Sequence, residues 1–440
     1  MGEPVLTIST SEALTLARCK RLYRYQYPGG RRPAAEQHEQ VWGKAMHRGL
    51  EVWFRGMAEM QETGAQPLMS LALETICRAA LTPGEDAEGR PYVPPADPYA
   101  RAAVRAILRA YVEYWWTDAS QYEVVAVELP FVLPIKTAKG RLIQGKRCET
   151  CGGLGVWQDQ LDCPPCQGTG RVRPQREGRL DLMLRERQTC PECQGAGGGA
   201  GGDCRACRAT GEAGPVYVAE HKTTSWDPNE DRYFAGIELD LQTALYFDAA
   251  RELGYSPAGV LYDVIRRPLY EDVKPPPTLN KDGSPRAPTS TPCEAEGCVS
   301  GYRTVGMVNP VSEPCPVCQG KGRIVKEVQY SNPRYGETAA AYEERIYRLA
   351  TAPETRSQWF ARRVLTISEE QIRDAREIMH NAAVEIPWRE RTGHYPKAGD
   401  RHVCAGKRVC AWIDVCNGRV REGTSEYERL FPLKTRKDGV

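Results

Sequence analysis

Apolar positions follow a helical period at the start of the chain and a period of two beyond it. Over residues 36–62, Trp42, Met46, Leu50, Val52, Trp53 and Phe54 fall on helical spacing, which predicts one long helix with a buried face. A shorter helix is predicted over 8–25, opened by Ser9, Thr10 or Ser11 and carrying Cys19 in its second half. Another is predicted over 97–118, where Asp97 and Pro98 stand as cap and first-turn residues. From Tyr122 the pattern turns β-rich, and strands are predicted over Tyr122–Pro134, Gly140–Gly145, Glu177–Arg185 and Pro215–Lys222. A helix over 236–254 and a strand over Ala258–Arg266 follow. A helical lead-in, then strands, helix and strand, is an α/β (α+β) order.

Three stretches interrupt that pattern. Residues 146–176 and 187–214 split neighbouring strands, and 268–322 begins with a proline-rich run that includes Pro275, Pro276 and Pro277. The chain therefore divides into a helical part at 1–120 with Cys19 and His47, and a core sheet at 121–267 interrupted by the first two stretches. A linker with the third stretch follows at 268–322, and then a C-terminal part at 323–440.

Each interruption holds two cysteine pairs. Cys148-x2-Cys151 and Cys163-x2-Cys166 are 11 residues apart, and Cys190-x2-Cys193 and Cys204-x2-Cys207 are 10 apart. Cys293-x4-Cys298 and Cys315-x2-Cys318 are 16 apart. Two such knuckles on a short hairpin bring four thiolates into a tetrahedron, which suits zinc, and up to three zinc ions are expected. No apolar run reaches the roughly 18 residues that span a bilayer, and the first ten residues lack a signal-peptide pattern. A cytoplasmic location is expected, where the 17 cysteines point to metal rather than disulfides. Cys151-Gly-Gly-Leu-Gly, Cys166-Gln-Gly-Thr-Gly, Cys193-Gln-Gly-Ala-Gly and Cys318-Gln-Gly-Lys-Gly resemble the zinc-binding repeat of DnaJ-type chaperones. The resemblance stops there, because no J-domain His-Pro-Asp tripeptide occurs. These ribbons are expected to act as metal staples, with contact to DNA or protein as the alternative.

The chemistry concentrates elsewhere. Glu220 and Lys222 alternate to the same face of their strand, and His221 points away. Asp181 on a neighbouring strand would converge with Glu220 on one point, as a hard divalent cation requires. A net charge of +2 leaves any anion-binding surface local. One candidate is 18–32, where Arg18, Lys20, Arg21, Arg24, Arg31 and Arg32 interleave with Tyr23, Tyr25 and Tyr27, a pattern suited to DNA. Near the C-terminus stands a triplet, Cys404-x5-Cys410-x5-Cys416, and three thiols want a fourth; only Cys19 and Cys77 remain. By spacing alone the quartet suits zinc and iron–sulfur equally.

A lone N-terminal cysteine, a C-terminal triplet and an Asp…Glu-x-Lys core together resemble the RecB-like branch of the PD-(D/E)XK nuclease superfamily, of AddB type. Gly43-Lys44-Ala45-Met46-His47 is similar to the family's helical histidine motif, and Gly178-Arg179-Leu180-Asp181 to its G-x-x-D motif, with Leu180 where the proline would stand. Glu220-His221-Lys222-Thr223 is similar to its (D/E)-x-K-T strand, and Gln242-x3-Tyr246 to its Q-x3-Y helix. The resemblance implies a restriction-endonuclease-like core, a mixed sheet flanked by helices, that hydrolyses DNA at ends or on single strands. It implies Mg²⁺ or Mn²⁺ on Asp181, Glu220, the His221 carbonyl and His47. Lys222 would orient or deprotonate the attacking water, Gln242 and Tyr246 would position the lysine or the phosphate, and Glu128 would support the metal or the structure. It further implies a [4Fe-4S] cluster on Cys19, Cys404, Cys410 and Cys416, and a role in recombination, repair or phage DNA processing. No phosphate-loop motif is present, so unwinding would fall to a helicase or recombination partner. The alternative is a catalytically silent DNA-binding module.

Overall fold

Ser9 decides how the chain enters the fold. Its hydroxyl accepts from the Glu12 amide at 3.1 Å and caps helix α1 (Thr10–Arg18), so the residues before it are released into strand β1 (Thr7–Ser9). At Cys19 the backbone turns extended (φ −160°, ψ 114°), and α2 (Lys20–Gln26) starts anew. The single helix expected over 8–25 is thus a strand and two helices, with Cys19 at the joint. Helices α3 (His38–Thr63), α4 (Met69–Leu81), α5 (Pro98–Tyr114) and α6 (Asp118–Gln121) complete the helical part. Asp97 caps α5 through the amides of Tyr99 and Ala100, with Pro98 at the first position.

Strands β2 (Tyr122–Pro134), β3 (Gln175–Glu186), β4 (Val216–Thr224) and β5 (Pro257–Arg266) match the β-rich stretches in place and order. The predicted Gly140–Gly145 strand is absent: among the described residues this segment shows only the bridge Lys136↔Leu142. Asp240 caps a new helix, so the stretch expected as one helix over 236–254 is α7 (Asp231–Ile237) and α8 (Leu241–Glu252). Beyond lie α9 (Ala339–Thr351), β6 (Phe360–Leu365) and α10 (Glu369–Thr392), the last opened by a Ser368/Gln371 capping box and closed by Gly393 at φ 64°.

The computed structural model describes residues 5–33, 38–64, 69–85, 91–154, 156, 163, 166, 169–199, 202–205, 207, 211–228, 231–237, 239–268, 290–292, 302–305, 311–315, 323–325, 338–405 and 409–433. Two compact units divide the chain: residues 1–267 with 347–440, and residues 268–346. The smaller unit contains two antiparallel ladders, Ser290–Pro292 with Arg323–Val325 and Tyr302–Val305 with Val311–Pro314. Cys315 is buried there; Cys293, Cys298 and Cys318 lie outside the described residues.

In the larger unit six strands form one mixed sheet. β1 pairs parallel and β2 antiparallel with β3, β3 antiparallel with β4, β4 parallel with β5, and β5 antiparallel with β6. Apolar side chains of β3, β4 and β5, among them Leu180, Met183, Val218, Val260 and Val264, share one core with Phe247 and Ala250 of α8. A second core joins α1, α8 and α10 through Leu16, Leu245, Met379 and Ile386. Among the described residues no helix is long and apolar enough to cross a membrane.

A charged knot locks the start of β3 against the helices. Asp248 of α8, fully buried, accepts from Arg176 at 2.9 Å and from Arg376 of α10 at 2.5 Å; Glu252 accepts from Arg176 at 2.8 Å. Removing the shared acceptor would leave Arg376 without the carboxylate that takes two of its donors, and Arg176 in the interior with Glu252 as its remaining carboxylate. Asp248→Ala is therefore expected to lower stability by about 3–5 kcal/mol in chemical denaturation. A loss within about 0.5 kcal/mol, the range of ordinary surface substitutions, would show that the knot is not structural.

Candidate active site

The sheet forks where its carboxylates stand. β4 pairs with β3 from Val216↔Arg185 to Ala219↔Leu182 and no further, although β4 goes on pairing with β5 to Thr224. The next residue on each side of the parting is Glu220 on β4 and Asp181 on β3. The fork places both at a split in the sheet, with Glu220 only 2 % exposed.

Helix α3 supplies the third group. Gly43 lies so near β4 that an added Cβ would stand 3.1 Å from Thr223 Oγ1, so glycine lets the helix approach the strand. One turn later His47 stands with Nδ1 3.6 Å from Asp181 Oδ2. Its side chain keeps 39 % of its exposure at the rim, and burial of the rest lowers its pKa. On the other side α8 contributes Gln242 and Tyr246. Lys222 Nζ donates to Glu220 Oε1 at 2.5 Å and to Gln242 Oε1 at 3.2 Å, and Gln242 Nε2 donates to Tyr246 Oη at 3.0 Å.

Electrostatics follow from this crowding. Burial, then the Asp181 charge, pushes the Glu220 carboxyl up to about 7 against the pull of Lys222. Burial lowers Lys222, but the Glu220 contact outweighs it and the ammonium is held above its usual range. The second oxygen, Glu220 Oε2, is buried without a hydrogen-bond partner. An orphaned carboxylate oxygen beside a second carboxylate and an imidazole is a donor set that fits a divalent cation with oxygen and nitrogen ligands.

His221 faces the opposite way, as strand alternation requires. Its Nε2 lies 3.8 Å from Asp263 Oδ2 and 3.4 Å from Tyr111 Oη. Burial lowers its pKa to about 4, Asp263 notwithstanding. Behind it Tyr111 donates to Asp263 at 2.5 Å, and Arg362 donates to Asp263 at 2.6 Å and to Asp118 at 2.7 Å. The side chains behind His221 escaped sequence reasoning; the available signal was Asp263, a lone acid in the buried strand Val260-Leu-Tyr-Asp-Val-Ile265. Glu128 is opposite Asp181, between the pairs Val127↔Leu182 and Leu129↔Leu180, at φ 52°, and its carboxylate lies 3.5 Å from Arg179.

The cysteines form two kinds of group. In the first hairpin Cys148 and Cys163 sulfurs are 3.8 Å apart and Cys151 and Cys166 3.7 Å; in the second, Cys190 and Cys204 are 3.8 Å apart and Cys193 and Cys207 3.6 Å. A tetrahedral ion with bonds of about 2.3 Å to sulfur needs sulfurs about 3.8 Å apart, so both quartets fit a single ion. Pairing thus runs within each hairpin. Cys19, Cys404, Cys410 and Cys416 are electrostatic neighbours: burial, then the charges of Cys404 and Cys19, raises Cys410, and burial, then Cys410 and Cys19, raises Cys416. Yet among the described residues no three of these sulfurs fall within 4.8 Å of one another.

The basic stretch 18–32 is engaged internally. Lys20 pairs with Glu385 at 3.1 Å, Arg24 with both oxygens of Glu422, and Arg31 with Glu428 at 2.6 Å. Arg21 donates to the Tyr395 carbonyl, and Arg18 reaches the Val403 carbonyl at 3.5 Å. Tyr23 and Tyr25 are buried, Tyr25 stacked on Trp412 with centroids 4.5 Å apart. Tyr23 and Tyr25 thus pack inside while Tyr27 stays partly exposed, and Lys20, Arg24 and Arg31 pair with acids of the C-terminal segment.

Two sets of known proteins resemble this chain. Residues 7–156 match the PD-(D/E)XK nuclease superfamily, a stretch that includes His47 and ends before Asp181. The chain is also similar to the chaperone protein DnaJ of Methylobacterium sp. (strain 4-46), 31 % identical over 40 % of each chain. The same protein of Fusobacterium nucleatum subsp. polymorphum is 37 % identical over 30 % of this chain and 32 % of its own length. That of Chelativorans sp. (strain BNC1) is 29 % identical over 34 % and 35 %. The chain spans about a third to two fifths of the length of these curated relatives. The mixed sheet flanked by helices is a restriction-endonuclease-like arrangement, and with the match it supports the PD-(D/E)XK nuclease superfamily and a phosphodiester-hydrolysing enzyme.

Proposed function

We propose that this chain is a metal-dependent DNA nuclease acting at ends or on single strands, in recombination, repair or phage DNA processing. The observation that carries the proposal is the buried Glu220 paired with the half-buried Lys222 at the strand fork, with one Glu220 oxygen unsatisfied among the described residues and Asp181 and His47 beside it. Asp181, Glu220, the His221 carbonyl and His47 would hold Mg²⁺ or Mn²⁺. When bound, that ion would neutralise phosphate charge and acidify a water molecule.

The remaining roles belong to the chain itself. Lys222, kept charged by Glu220, would orient the attacking water and offset charge building on the phosphate. Gln242, hydrogen-bonded to Lys222 and Tyr246, would hold that ammonium in place. His221, neutral and fixed by Asp263 and Tyr111, would set the strand so that its carbonyl faces the cation. The nuclease domain would comprise 1–120, 121–267 and 323–440, with zinc in the ribbons at 146–176, 187–214 and 268–322. A helicase or recombination partner would supply unwinding.

For the remaining quartet we favour [4Fe-4S]. Four-cysteine sites serve both zinc and iron–sulfur, and the choice rests on the likeness of this cysteine pattern to that of RecB-like nucleases. The cluster would be structural, tying the α1–α2 joint to the C-terminal segment.

Purified protein is expected to degrade DNA with Mn²⁺ or Mg²⁺, and Lys222→Ala to reduce the rate by about 10²–10⁴ while the protein stays folded by circular dichroism. Equal degradation by wild type and variant would sink the mechanism and leave a silent binding module. Protein purified anaerobically should be brown, and Cys404→Ser should bleach it and lower its melting temperature; a colourless, zinc-only wild type rules out the cluster. Elemental analysis should find zinc, with one equivalent fewer in Cys148→Ser, whereas an unchanged zinc content would exclude the first ribbon as a zinc site.

A further inference from the structure

The two described cysteine hairpins are copies of one module. The Cys148 amide donates to the Gly170 carbonyl at 2.9 Å, and the Cys190 amide to the Gly211 carbonyl at 2.8 Å. An added Cβ on Gly170 would collide with the Gly153 carbonyl, and one on Gly211 with the Gly195 carbonyl. Cys148 therefore corresponds to Cys190 and Gly170 to Gly211. It follows that Arg147 and Arg171 correspond to Thr189 and Glu212.

Charge differs at these matched positions. In the first ribbon Arg147 pairs across the ladder with Arg171; in the second Thr189 pairs with Glu212. Glu212 is neutralised by Arg187, whose Nη1 donates to its two oxygens at 2.8 and 2.9 Å. Arg147 donates to the Gly152 carbonyl at 2.7 Å and Arg171 to the Gly145 carbonyl at 2.9 Å, and among the described residues neither meets a carboxylate. Like charges directly opposite each other on two strands repel, a cost that a polyanion between them reverses. Each guanidinium has further N–H donors, in the fork geometry that suits phosphate oxygens. Lys146 and Arg173 flank the pair, and Lys146, Arg147 and Arg171 are exposed. Arg171 precedes Asp181 by ten residues, a reach of at most about 35 Å along extended chain. That reach corresponds to about ten base pairs of duplex.

We propose that the first ribbon grips the phosphate backbone of DNA through Arg147 and Arg171, within about one helical turn of the Asp181–Glu220 fork, while the second ribbon is a neutral staple. The proposal rests on the nuclease reading for the identity of the polyanion. The test uses full-length Lys222→Ala protein, which does not consume its ligand, and measures affinity for a blunt duplex by fluorescence anisotropy across salt concentrations. Arg147→Gln with Arg171→Gln should weaken binding and reduce the slope of log affinity against log salt by about 1.8, at unchanged zinc content. Arg147→Lys with Arg171→Lys should keep the slope, and Arg187→Gln in the second ribbon should not alter it. In otherwise wild-type protein, the glutamine pair should leave hydrolysis of bis(p-nitrophenyl) phosphate unchanged, since so small a diester touches no ribbon. If the double variant loses zinc, Arg171→Gln alone is measured, with an expected slope change of about 0.9. A wild-type slope in the zinc-loaded glutamine variants, or an equal loss in Arg187→Gln, overturns the proposal. Absence of DNA cleavage by wild-type protein would instead reject the nuclease reading and leave the slope comparison standing.

Discussion

The parting of β3 and β4 is the constraint on which the rest of the molecule depends. Up to Ala219↔Leu182 the strands satisfy each other's backbone; beyond it β4 belongs to β5 alone. That leaves Glu220 in the sheet interior, where an unpaired carboxylate oxygen costs about 1–3 kcal/mol or more. The flanking helices answer that cost on both sides. Helix α8 brings Gln242 to steady Lys222, and α3, admitted by Gly43, brings His47 to Asp181. Among the described residues Glu220 Oε2 is left buried without a hydrogen-bond partner, and it is the atom a cation at the fork would meet.

A second constraint joins the chain's two ends. The break at Cys19 turns α2 so that Lys20, Arg24 and Arg31 face acids at 385, 422 and 428. Exposed ion pairs of this kind contribute little one by one. The larger contribution is apolar: Tyr25 stacks on Trp412, and Trp412 on Phe431 with centroids 4.0 Å apart. The site's framework therefore includes residues nearly four hundred positions from α2.

Much of this was legible in the sequence, and the failures have physical causes. Strong periodicity located α3, α5 and β2 to β5 to within a few residues, because each buries a face large enough to dominate its sequence. Motif spacing brought out the five groups that do converge, Asp181, Glu220, Lys222, Gln242 and Tyr246, along with His47. The strand β1 and the break at Cys19 were hidden, since a cap and an extended residue are one-residue decisions inside a helical pattern. The basic, tyrosine-rich stretch shows a different limit. Composition fixes its charge but not its neighbours, and the neutralising acids lie at the far end of the chain. The buried partners behind His221 come from four separate segments, so no local pattern could assemble them.

The place of the ribbons in the sheet explains why so much foreign sequence is tolerated. One connects β2 to β3 and the other β3 to β4, both antiparallel neighbours that a turn of two to five residues would ordinarily join. Loop-closure entropy grows only slowly with length, and each metal-sized quartet closes its insertion on itself, so the strand ends meet as if the loop were short. With a metal in the quartet, the stem residues would not be needed to close the hairpin and could differ between the two copies. Divergence is what the two copies display: Arg147 and Arg171 on one, Thr189 and Glu212 on the other, upon the same backbone. Stability alone would have no use for two arginines face to face, and the duplicated module supplies the internal control that makes their charge meaningful.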